Sequence, residues 1–105
     1  METKRPLLAV DCVVFDRIGG LLLIRRKNEP FQGQYALPGG FVQYGETVEQ
    51  AAARELLEET NLLATKLSLI GVYSDPRRDP RGHVVSIAYM ATADQFNPRA
   101  GTDAS

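Results

Sequence analysis

The chain has 105 residues, 44% of them hydrophobic, with 12 basic and 13 acidic side chains and a formal net charge of -1. That length is one domain's worth, the apolar content excludes a disordered chain, and the charge balance excludes the strongly basic face of a general nucleic-acid binder. Cys12 is the only cysteine, so there is no internal disulfide and no thiolate zinc site is expected.

The N-terminal run Met1 to Pro6 leads into apolar residues that Asp11 interrupts, which makes a poor signal peptide. Apolar runs such as Leu7 to Val10 are far short of a membrane span, so a soluble, cytoplasmic domain is expected. Leu7 to Phe15 is aliphatic and β-branched and reads as a strand. Gly19-Gly20 supplies a turn, and Leu21 to Arg26 is expected to return as a hairpin partner. Lys27 to Gln34 reads as loop, and Tyr35-Ala36-Leu37 as a short extended piece stopped by Pro38-Gly39-Gly40.

Thr47 to Thr60 is the clearest helix. Thr47 and Gln50 have capping-box spacing, the interior lacks Gly and Pro, and Asn61 stands where a left-handed helix end is expected. Ala52, Ala53, Leu56 and Leu57 are its expected apolar side. Leu67 to Ser74 and His83 to Ala93 read as strands on either side of a loop, Asp75 to Gly82, that holds two prolines and three arginines. Strands around one helix imply a mixed α+β or α/β sandwich.

Five of the 13 acidic residues crowd between positions 46 and 59: Glu46, Glu49, Glu55, Glu58 and Glu59. Glu55, Glu58 and Glu59 stand at i, i+3 and i+4 and share one helical face, with only Arg54 to oppose them. Like charges at that spacing destabilise a helix by roughly 0.2–0.5 kcal/mol each, and these lie toward the negative end of its dipole. A hard divalent cation such as Mg²⁺ would resolve the conflict. On spacing alone, a solvated acidic face with Arg54 pairing Glu58 is the commoner explanation.

The wider context narrows the choice. Gly40, Glu46 and the run Arg54-Glu55-Leu56-Leu57-Glu58-Glu59-Thr60-Asn61-Leu62 resemble the Nudix box, with Asn61 where the family pattern has glycine. Ala36-Leu37-Pro38-Gly39-Gly40 before it resembles the same family. The resemblance covers Leu7 to about Ala93 and implies a Nudix α/β/α sandwich with a mixed sheet. It further implies hydrolysis of a nucleoside diphosphate linked to another moiety, with Mg²⁺ or Mn²⁺ as cofactor. By position, Glu55, Glu58, Glu59 and the Gly39 carbonyl would hold metal, and Glu46 would support the loop and reach metal through water. Arg54 would orient a glutamate, and Glu55 is the candidate general base.

The loop Gly71 to His83 resembles that of small ADP-ribose pyrophosphatases and of Nudix-like regulators that sense ADP-ribose. Arg77 and Arg81 are candidate phosphate or ribose donors, His83 a ligand contact, and Tyr35, Phe31 and Tyr44 stacking surfaces. For the loop, simple solvation is the competing reading; for the aromatics, ordinary packing. The expected substrate is ADP-ribose, split to AMP and ribose 5-phosphate. A (d)NTP, a dinucleoside polyphosphate, or nucleotide sensing without turnover are the alternatives. Nudix domains usually continue with another strand and helix. Here Arg99 to Ala104 resembles the approach to that strand, so the edge it would cover is expected to pair with a second copy in a homodimer.

Overall fold

The computed structural model describes residues 4–16, 18–26 and 32–95. Seven elements follow in order: β1 (Leu7–Val13), β2 (Ile24–Arg25), β3 (Tyr35–Ala36), β4 (Gly39–Phe41), α1 (Val48–Thr60), β5 (Leu62–Tyr73) and β6 (Val84–Gln95). A four-stranded sheet runs β4-β1-β6-β5, with β1 parallel to β6 and the other neighbours antiparallel. β2 and β3 form a separate two-stranded ribbon.

Strand alternation assigns the two faces of β1. Val10 and Cys12 are fully buried in the cluster that holds Ala51, Ala52 and Leu56 of α1. Ala9 and Asp11 therefore point to the face away from the helix. On that far face Ala9 stands opposite Ser86 of β6, and both are buried.

Both helix ends follow the sequence signals. The Thr47 hydroxyl accepts from the Gln50 N–H at 3.0 Å, and the Gln50 side chain accepts from the Thr47 N–H at 2.9 Å. Asn61 is left-handed (φ 61°, ψ 20°), its N–H donates to the Leu57 carbonyl at 2.9 Å, and the chain enters β5 at once. β5 thus begins at Leu62, five residues before the expected start at Leu67.

Two expectations need correction. The hairpin after β1 is short: Phe15 bridges Leu21, the Leu22 N–H reaches the Val14 carbonyl at 2.9 Å, and then the chain departs. The reason is that both edges of β1 are already taken by β4 and β6, so Ile24–Arg25 pairs with Tyr35–Ala36 instead. The buried side of α1 is Ala51, Ala52, Leu56, Glu59 and Thr60, while Leu57 is exposed. Glu59 turns inward because a backbone N–H awaits it, as described below. Of the α/β/α sandwich, the described residues supply the sheet and one helical layer. Phe31 and the tail from Arg99 to Ala104 lie outside the described residues.

Candidate active site

The site is built where α1 meets the outer edge of β4. Val10 pairs with Gly40, so Gly39 and Phe41 direct their N–H and C=O groups off the strand edge. Glu59, only 7% exposed, accepts the Gly39 N–H at 2.7 Å. Arg54 donates to the Phe41 carbonyl at 3.1 Å. Since a strand residue's N–H and C=O point to the same side, the Gly39 carbonyl faces the same way as its N–H. The glycines are required by space. A Cβ on Gly39 would sit 2.2 Å from the Val10 carbonyl oxygen, and one on Gly40 would sit 2.6 Å from the Glu55 carboxylate.

Arg54 organises the carboxylates. Its guanidinium grips Glu46 through two nitrogens at 2.6 and 3.0 Å and reaches Glu55 at 2.5 Å and Glu58 at 3.1 Å. The Glu46 bond lifts Arg54 above its ordinary range; partial burial opposes this, and Glu55 and Glu58 add to the lift. In return Arg54 holds the Glu46 carboxyl below the usual range, helped by the Gln43 N–H at 2.9 Å. Glu46 therefore ties the loop before α1 to the helix.

A divalent cation fits the chemistry of this group. Glu55, Glu58, Glu59 and the Gly39 carbonyl are all hard oxygen donors at one strand edge. Among the described residues, no three acidic, histidine or cysteine side chains stand in metal-holding geometry, because Arg54 occupies the space between Glu46, Glu55 and Glu58. Glu58 is the half-exposed member of the set.

On the far face of the sheet lies a cavity of about 210 Å³, with Asp11, Gly39, Gly40, Phe41, Arg78 and Arg81 in its wall. Burial raises the Asp11 carboxyl above its ordinary value, and Arg78 and Arg81 pull it back. Arg78 donates to the Ser86 hydroxyl at 2.7 Å and the Val84 carbonyl at 3.2 Å. Arg81 is clamped by Asp79 at 2.7 and 3.0 Å, and its guanidinium lies 4.8 Å from the Phe41 ring centre. Gly39 and Gly40 are thus a shared wall, with carboxylates on one side and arginines on the other.

The structure gathers Gly39, Glu46, Arg54, Glu55, Glu58 and Glu59, as the sequence implies, and brings Arg81 to the adjoining cavity. It does not bring Arg77, whose side chain is 90% exposed and bonded to Asp75. The chain turns at Asp75 and again at Asp79, which leaves Arg77 outside and swings Arg78 in. Tyr35 is exposed beside Arg25, and Tyr44 is fully exposed; neither lines the cavity. His83 is exposed, with Nε2 3.0 Å from the Ser74 carbonyl, and lies beyond Arg81. Arg78 is the residue that sequence reasoning missed, since nothing in the run Arg77-Arg78 separates the two. Asp11 left a signal, an acid amid apolar strand residues. Cys12 is core: burial pushes its thiol up to about 12, with Asp11, Glu59 and Glu55 adding to the effect.

A mixed sheet carrying one helix, whose carboxylates meet a glycine strand edge, defines the class. The chain belongs to the NUDIX family, whose domain model matches residues 5–104. Members of this family generally use divalent metal ions. An ADP-ribose pyrophosphatase of Methanocaldococcus jannaschii is 52% identical over 99 residues, covering 94% of this chain and 58% of that protein. The chain thus spans a little over half the length of that relative. A MutT/nudix family protein from Enterococcus faecalis superimposes with a TM-score of 0.88 at 38% identity, over 100% of this chain and 43% of the other. The NUDIX domain of Shewanella oneidensis NrtR, solved in complex with ADP ribose, has a TM-score of 0.84 at 33% identity, over 98% and 71%. Among the described residues, no helix is long and apolar enough to cross a membrane.

Proposed function

We propose that this chain hydrolyses the pyrophosphate bond of a nucleoside diphosphate derivative, with ADP-ribose as substrate and AMP and ribose 5-phosphate as products. The observation that carries the reading is the shared wall, where a carboxylate cluster and an arginine-lined cavity lie on opposite sides of Gly39-Gly40. The similarity to an ADP-ribose pyrophosphatase supports the substrate.

Each residue then has a role. Glu55, Glu58, Glu59 and the Gly39 carbonyl would hold Mg²⁺ or Mn²⁺, with Glu46 in reach through water; the cation would polarise a phosphoryl oxygen and lower the pKa of a bound water. Glu55 takes the proton of the attacking water as general base. Arg54 positions Glu55 and Glu58, and Glu46 fixes Arg54. Arg78 and Arg81 offer fork-shaped donors to phosphate or ribose oxygens. Asp11 is an acceptor for a ribose hydroxyl. Water adds to one phosphorus, the bridging P–O bond breaks, and the leaving phosphate takes the electron pair.

The protein is further read as a cytoplasmic homodimer. β5 is an outer strand of the sheet and exposes Leu69, Ile70 and Val72, a surface suited to a second copy. Likeness to the NUDIX domain of NrtR keeps one other reading in play, binding of ADP-ribose without turnover.

The test is product chromatography across ADP-ribose, nucleotide sugars, dinucleoside polyphosphates and nucleoside triphosphates, with Mg²⁺ or Mn²⁺. AMP from ADP-ribose is expected, and Glu59→Gln should lower the rate by at least about 100-fold while keeping the fold. Cleavage of a different substrate would overturn the ADP-ribose assignment. Metal-dependent ADP-ribose binding with no cleavage would replace the enzyme with the sensor.

A further inference from the structure

A second, open cleft of about 550 Å³ lies on the other side of Arg81, lined by Lys4, Arg5, Pro6, Arg81, Gly82 and His83. Three of these side chains carry fixed positive charge, a fourth is the chain's one histidine, and among the described residues no carboxylate lines the cleft. Asp79 compensates Arg81 through two short bonds. Lys4 and Arg5 have no such compensation: neither makes an ion pair or side-chain hydrogen bond among the described residues. The segment is nonetheless anchored, because the Leu7 N–H donates to the His83 carbonyl at 3.0 Å.

The His83 ring has a defined orientation. Its Nε2 faces the Ser74 carbonyl, which can only accept, so Nε2 carries a proton. In the neutral ring Nδ1 then only accepts, so His83 serves as a wall and reporter of the cleft, and the donors to an anion are the cationic side chains. Adjacent like charges cost free energy, and a bound anion relieves that cost. Arginine offers a phosphate a fork of donors and lysine a point charge.

We propose that this cleft binds a phosphate dianion, held by Lys4 and Arg5 beside the His83 ring. The shared chemistry admits two sources, free inorganic phosphate and a sugar phosphate such as the ribose 5-phosphate that hydrolysis would release. Only the second source rests on the reading under Proposed function.

Because His83 is the chain's only histidine, its ring protons report on the cleft without ambiguity in an NMR titration. Inorganic phosphate and ribose 5-phosphate are added separately at constant pH, with sodium chloride matching ionic strength in the control. A saturable shift is expected with phosphate and none with chloride. The exposed pair Lys4→Ala/Arg5→Ala should weaken binding at least about 10-fold, as loss of charged hydrogen bonds predicts. Arg78→Ala, in the neighbouring cavity, should leave the affinity unchanged. A ribose 5-phosphate affinity at least about five-fold above that of phosphate identifies the product as ligand, and equal affinities identify the free anion. Unmoved or non-saturating His83 signals, equal binding by the double variant, or loss of the shift in Arg78→Ala would overturn the site. None of these readouts requires turnover, so a failure of the hydrolytic reading is seen separately.

Discussion

Arg54 shows how far a single side chain can reconcile a sequence conflict. The like charges at i, i+3 and i+4 are relieved in two ways: one guanidinium gathers Glu46, Glu55 and Glu58, and Glu59 leaves the shared face for a backbone N–H. The cluster was legible from spacing and family resemblance. The inward turn of Glu59 was not, because its partner Gly39 lies twenty positions away and offers only backbone. The arginines divide in the same manner. Arg78→Ala should raise KM several-fold or more with little change in kcat, while Arg77→Ala should leave both within about two-fold, in steady-state assays with ADP-ribose. Equal effects would place the loop differently. Asp79 supplies a pH signature. Arg81 holds its carboxyl at about 2 against an ordinary 3.8, so its folded pKa is depressed. Its contribution to stability is present above the ordinary value and is lost as pH falls from 3.8 toward 2. Melting temperatures across that window should fall more steeply for the native chain than for Asp79→Asn.

Among the elements, local signals are legible in the sequence and distant ones are not. The capping box and the left-handed Asn61 were visible in the sequence, because a cap needs only neighbours three or four residues away. By sequence the next apolar segment resembles a partner for β1, since nothing local announces that β4 and β6 will claim both its edges. The buried stripe of α1 departs from the apolar pattern because a buried glutamate sits where an apolar residue would be expected. Contact between α1 and β4 leads to a sharp prediction. Gly40→Ala places a methyl group 2.6 Å from the Glu55 carboxylate, so Glu55 must move. Turnover should drop by about 10-fold or more, on the scale expected when the proposed general base is displaced. Far-UV circular dichroism and ADP-ribose binding should be retained. Full activity would mean that Glu55 is not held to its place by this strand.

For the molecule as a whole, sheet order decides which surfaces are left over. β4 is short and covered by α1 on its outer edge, whereas β5 runs twelve residues as the opposite edge with Leu69 62% exposed. Light scattering at micromolar concentration should report a dimer, and Leu69→Lys with Val72→Lys should shift it to monomer. A native monomer would remove the proposed pairing. Composition alone spoke to none of this, because the edge exists only once non-local pairing has been made. The same non-local pairing gives β4 a role as a gauge. On the proposed reading, the main chain of Gly39 and Gly40 sets the offset between where a substrate is gripped and where it is cut. That offset is written in main-chain atoms, which no side-chain substitution can lengthen. On that reading, replacement of the arginines would retune which group is held, generation after generation, while the position of cleavage along a substrate stays constant.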